Sequence, residues 1–206
     1  MANSTIAVTP GSGSSVAVYN DASTYSFQRV INAAEPSQKT TYFASYKGQS
    51  IGTGATTNII TVAGSATKKV TVAAIFLSAT ATTAASYFDV ILNRQSTADT
   101  GGTAATAATI IKADTNNASA TAAAPAFYTA GPTAGTVTGA LAAYKLFAPI
   151  TGTPAPVTIV NVIPNMMHYG QGVVLNGTTD ILAITVNGVT PANATSWDVT
   201  IVWVEE

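Results

Sequence analysis

The chain has no cysteine and a single histidine, His168. The first absence excludes disulfides and thiol chemistry. Together they leave no ordinary ligand set for zinc, so no metal site is expected. Charge is scarce as well: Lys, Arg, Asp and Glu make up 8% of the 206 residues, and the formal net charge is −1. An ordinary soluble domain carries about 25% charged residues. Without a basic stripe, nucleic acid is not expected as a partner. No apolar run approaches the roughly 20 residues that a membrane-crossing helix needs, so no membrane partner is expected either. The first ten residues hold neither a basic stretch nor an apolar one, and no signal peptide is read there.

What the chain does have is Ala, 38 residues, and Thr, 34 residues. High Thr and Val with little Glu or Lys favours strand over helix. Hydrophobic residues reach 47% beside that low charge, a combination that suits a protein whose surface is partly hidden by assembly. The length suits one large β domain with a sizeable core.

The clearest pattern lies in residues 179–206. Residues 180–187 alternate, with Leu182, Ile184 and Val186 on one side. Residues 196–205 alternate again, with Trp197, Val199, Ile201 and Trp203 on one side. A period of two over such lengths marks strands with one face in a core. The two segments, joined by a loop that contains Gly188, Pro191 and Asn193, read as a closing hairpin. Both Trp residues share one face, the expected floor of the core.

Upstream, residues 1–57 read as an extended N-terminal arm and 58–206 as the body. Strands are expected at 58–63, at 68–79 with Val70, Val72, Ala74 and Phe76 in phase, and at 86–94 with Phe88, Val90 and Leu92 inward. The last two, joined by small residues, read as paired. Residues 97–124 invite disorder, with room for a short helical turn at 118–124. Further strands are expected at 127–129, 136–149, 157–163 and 173–175. About eight short strands with turns between them, no amphipathic helix and no fixed repeat give an all-β fold: an antiparallel jelly roll or β-sandwich.

Chemistry is hard to find. His168, between Met167 and Tyr169, lacks the Gly-x-Ser-x-Gly elbow of a hydrolase and reads as a loop packing residue. The nine carboxylates are scattered, and no spacing selects a glycosidase pair or a calcium loop. Asp99-Thr100-Gly101 matches the tripeptide of aspartic proteases but lacks their apolar flanks. The Gly-rich pieces do not join a strand to a helix, as phosphate loops do. No catalytic, cofactor-binding or metal residue is assigned, and an enzyme is not expected.

Three segments carry a resemblance: Thr5-Ile6-Ala7-Val8-Thr9-Pro10-Gly11-Ser12-Gly13 with Tyr25-Ser26-Phe27-Gln28-Arg29-Val30; Phe88-Asp89-Val90-Ile91-Leu92-Asn93-Arg94 with Gly101-Gly102-Thr103 and Lys112-Ala113-Asp114; and Trp197-Asp198-Val199-Thr200-Ile201-Val202-Trp203-Val204-Glu205-Glu206. Together they resemble the small β-rich virion structural proteins of tailed bacteriophages. The resemblance implies a jelly-roll-like capsid decoration or cement protein on the head surface, made in the host cytoplasm. It also implies contact with the major capsid protein and self-association as a dimer or trimer. A tail-fibre or glycan-binding receptor module is the alternative. The resemblance transfers no functional residues.

Overall fold

A computed structural model describes residues 39–51, 58–152, 159–163, 172–187 and 195–206. Twelve strands lie in them: β1 (Thr40–Ile51), β2 (Asn58–Ala63), β3 (Val70–Ala81), β4 (Ser86–Gln95), β5 (Thr103–Ala104), β6 (Ile111–Lys112), β7 (Ala126–Ala130), β8 (Val137–Ala148), β9 (Val160–Asn161), β10 (Val173–Leu175), β11 (Ile181–Asn187) and β12 (Thr195–Glu205). There is no helix among the described residues, hence none long and apolar enough to cross a membrane. The fold is all-β, as the Thr- and Val-rich composition predicts.

Two antiparallel sheets pack face to face as a β-sandwich. One has the order β10-β3-β12-β1-β6, with β9 also on β3; the other has the order β5-β7-β2-β11-β4-β8. The pairings are nested: β1 with β12, β2 with β11, β3 with β10, and β4 with β8. The first half of the chain therefore runs antiparallel to the second, and successive rungs of that ribbon fall in opposite sheets.

This nesting corrects two expectations. Residues 179–206 are not a hairpin, because β11 and β12 lie in different sheets. Likewise β3 and β4 are not partners: β3 pairs with β12, and β4 with β11 and β8. Alternation reports which face a strand buries, whereas partner choice depends on the whole ribbon. The body also begins before residue 58. β1 pairs with β12 from Thr40↔Glu205 to Ile51↔Thr195, so 40–51 belong to the sandwich and not to an arm. Of the rest of the expected arm, residues 1–38 and 52–57 lie outside the described residues.

The inward phases hold. Trp197, Val199, Ile201 and Trp203 of β12 are buried, as are Phe88, Val90 and Leu92 of β4 and Leu182, Ile184 and Val186 of β11. Tyr42 stacks on Trp203 within one sheet, with ring centroids 5.6 Å apart. Phe88 meets Trp197 edge-on across the interior, also at 5.6 Å. Aromatic rings of this size supply much of the buried apolar area.

In β3 the phase slips. Val202 pairs with Ala74 but Trp203 with Val72, which leaves Ala73 as the extra residue of a bulge. Past it Ile75, Leu77 and Ala79 face the core, and Phe76, read as in phase with the buried Val70 and Val72, is 40% exposed. One inserted residue is enough to swap the faces of a strand. The 118–124 stretch is not helical, and of 157–163 only Val160–Asn161 is strand among the described residues.

Candidate functional site

Seven carboxylates fall in the described residues, and each has a partner within the fold. The most buried is Glu205. It continues the inward phase of Trp197 to Trp203, so β12 ends by placing a carboxylate against the core. Its oxygens accept from the Thr121 N–H at 2.8 Å, the Thr121 hydroxyl at 2.7 Å, the Ala122 N–H at 3.0 Å and the Trp203 indole N–H at 3.2 Å. Lys68 Nζ lies 3.9 Å away. Burial pushes the Glu205 pKa up. The donors, the Thr121 hydroxyl foremost and then the Ala122 and Thr121 amides and the indole, outweigh it and hold the pKa below its ordinary 4.5.

The same stretch is held by two phenols of β1. The Tyr42 hydroxyl donates to the Ala118 carbonyl at 3.0 Å. The Tyr46 hydroxyl donates to the Pro125 carbonyl and accepts from the Ala108 N–H at 3.3 Å. Burial raises the pKa of Tyr42, with the Glu205 charge adding to it, and burial likewise raises that of Tyr46.

Asp99 closes a second polar run. The Asn93 amide donates to the Thr185 hydroxyl at 2.9 Å, and that hydroxyl donates to Asn58 Oδ1 at 2.6 Å. The buried Asn58 then donates to both Asp99 oxygens at 2.8 and 2.9 Å, and the Gly135 N–H donates to Asp99 at 2.9 Å. An aspartic protease would set a second carboxylate against this one; Asp99 instead faces an amide. The Asp-Thr-Gly tripeptide is therefore a loop anchor.

At the far end of β4, Arg94 Nε donates to Asp180 Oδ1 at 2.8 Å. Its Nη2 donates to Asp180 Oδ2 and to the Val174 carbonyl. The Asp180 hydrogen bond is the main reason the guanidinium pKa rises above its ordinary value. This pair lines a cleft of about 200 Å³ with Gln95, Ser96, Thr138 and Thr179. The Gln95 amide is buried with neither polar atom paired.

The remaining carboxylates sit nearer the surface. Asp89 pairs with Lys145 at 2.6 Å and Glu206 pairs with Lys69. Asp114 accepts from the Asn116 N–H at 2.9 Å, and Asp198 from the Gly48 N–H at 2.7 Å. A groove of about 380 Å³ runs over the outer face of β1, β12 and β3, where Phe76 and Ile159 stand exposed beside Ser45, Lys47, Asp198 and Thr200.

Among the described residues no three of His, Asp and Glu gather into a set that could hold a metal ion. His168 lies outside the described residues. Both Trp residues are core, so neither forms a sugar platform. Sequence reasoning missed the roles of Glu205, Tyr42 and Tyr46. A signal existed for Glu205, which is an acid in phase with four buried residues. No family model matches the chain, and no curated protein or solved structure matches it.

Proposed function

We propose that this is a non-enzymatic structural protein of a virus particle, acting as a decoration or cement subunit on the head surface and binding the major capsid protein. One observation carries the reading. The buried polar groups Glu205 and Asn58 hold the protein's own chain, while the outer face of β1, β12 and β3 exposes Phe76 and Ile159 with only Lys47 and Asp198 as charged neighbours. Such a body recognises partners by shape and apolar contact. The nested ribbon supports the jelly-roll reading: four antiparallel rungs alternating between two sheets are what that architecture calls for, and viral capsid and lectin domains use it. The resemblance of three segments to phage virion proteins adds to it. Fold alone does not decide function.

Mass spectrometry of purified particles, with heads and tails separated on a gradient, tests the proposal. Hundreds of copies per head are expected, retained in moderate salt because little charge is available to be screened. Absence from particles would overturn it. The groove beside Phe76 favours a second reading, a glycan-binding module. A few copies confined to tails, with binding on a glycan array, would select that one instead.

A further inference from the structure

Sheet edges expose unpaired backbone groups, and proteins blunt them with short strands, charge, proline or cover. Three of the four edges here end in very short strands: β10 has three residues, β5 and β6 two each. Along β1, β6 covers Tyr42 and Phe43, the Ala113 N–H donates to the Thr41 carbonyl, and the strand bulges between Tyr46 and Gln49. The fourth edge is different. β8 is twelve residues long and, among the described residues, pairs with β4 on one side only. It has no proline and one charge, Lys145, which is spent on Asp89 of β4. Val137 and Leu141, both on β8, are 48% and 39% exposed.

We propose that this edge binds a second copy of the chain, β8 against β8 antiparallel about a two-fold axis at Tyr144. The bulges of β8 fall at Thr138 and Leu141; from Ala142 to Ala148 it pairs residue for residue with β4. The outward backbone groups of that run are therefore in step to take another strand. A two-fold axis normal to the sheet keeps faces matched only when it passes through a residue position. At Tyr144 it sets the two tyrosines opposite each other, Ala142 opposite Leu146, and Ala143 opposite Lys145. Apart from the central tyrosine pair, these pairs set a large side chain against a small one, and no like charges are opposed. An axis at Lys145 would oppose two lysines. The strand is thus complementary to itself, as an isologous interface requires. This goes beyond the proposed function and gives a surface to the self-association that the resemblance to virion proteins implies. It is tested on the free protein, so its failure would leave particle binding untouched.

Sedimentation velocity of the full chain over a range of concentrations is the first measurement, with a concentration-dependent dimer expected. Ala143→Lys sets a like charge against Lys145 of the partner subunit twice per dimer and should weaken association by about tenfold; Ala143→Glu should leave it equal or tighter. Circular dichroism checks that both variants keep their strands. The opposite signs separate an interface from a folding defect. Because the chain has no cysteine, Ala143→Cys can be cross-linked with a short bis-maleimide across the roughly 7–8 Å that separates diagonal neighbours. Ala66→Cys, on the exposed turn after β2, should not cross-link. A monomer at all concentrations would overturn the proposal. So would lysine and glutamate acting alike, or Ala66→Cys cross-linking as readily as Ala143→Cys.

Discussion

β12 and residues 96–136 touch at Glu205 but are built on opposite principles. β12 is regular and central. It pairs along its length with β1 and β3, and its inward face is apolar from Trp197 to Trp203. Residues 96–136 carry only the short strands β5, β6 and β7 and no helix. Phe127 and Ala122 reach the core, and short pairings join β6 to β1 and β7 to β2; between these points single polar anchors from far along the chain, Tyr42, Tyr46, Asn58 and Glu205, hold the stretch. Stability spread over many apolar contacts fails as a unit. A stretch held at a few points can be released locally, one anchor at a time.

Breaking the first kind of region should cost most. Trp203→Ala removes a buried indole that Tyr42 stacks upon and should destabilise the whole body by about 3–5 kcal/mol in urea titration. A loss under about 1 kcal/mol would mean that the Trp face is not the floor of the core. Glu205→Ala comes next, at about 3 kcal/mol, because it leaves the Thr121 and Ala122 amides without their acceptor. Its effect also depends on pH. The folded pKa of Glu205 is depressed, so its contribution is complete above the ordinary value and is lost as pH falls through the lower, folded one. The variant and the wild type should therefore converge in stability in acid; a gap that stayed constant from pH 7 to pH 2 would contradict the assignment.

Smaller still is Asp99→Ala, which strands the buried Asn58 amide and should cost about 1–2 kcal/mol by thermal melt. Lys145→Ala removes an exposed ion pair with Asp89 and should change stability by less than about 0.5 kcal/mol. If that last change proved as costly as Asp99→Ala, burial would not be what ranks these anchors.

The same contrast explains what could be read beforehand. The inward faces of β4, β11 and β12 were legible because alternation is a local signal that burial enforces. Strand partners were not. Nothing in 179–206 distinguishes a hairpin from two rungs in opposite sheets, since both need the same alternation and the same loop residues. The face of Phe76 was lost to one bulge at Ala73, which depends on how β12 runs past β3 rather than on either sequence alone. In 97–124 the abundance of Ala, Thr and Asn pointed to disorder or a helical turn. What decides that stretch are partners 76 to 84 residues away, such as Ala118 with Tyr42 and Thr121 with Glu205. Chemistry was legible mainly as absence, and Glu205 shows the limit of that reading: a charge in an apolar phase marked an anchor.

Native-state hydrogen exchange on wild type and Glu205→Gln tests the contrast most directly. The account predicts that amides of 113–125 lose protection in the variant while those of β3, β4 and the Val199 to Trp203 part of β12 keep theirs. Equal loss of protection across both regions, or none in 113–125, would contradict it.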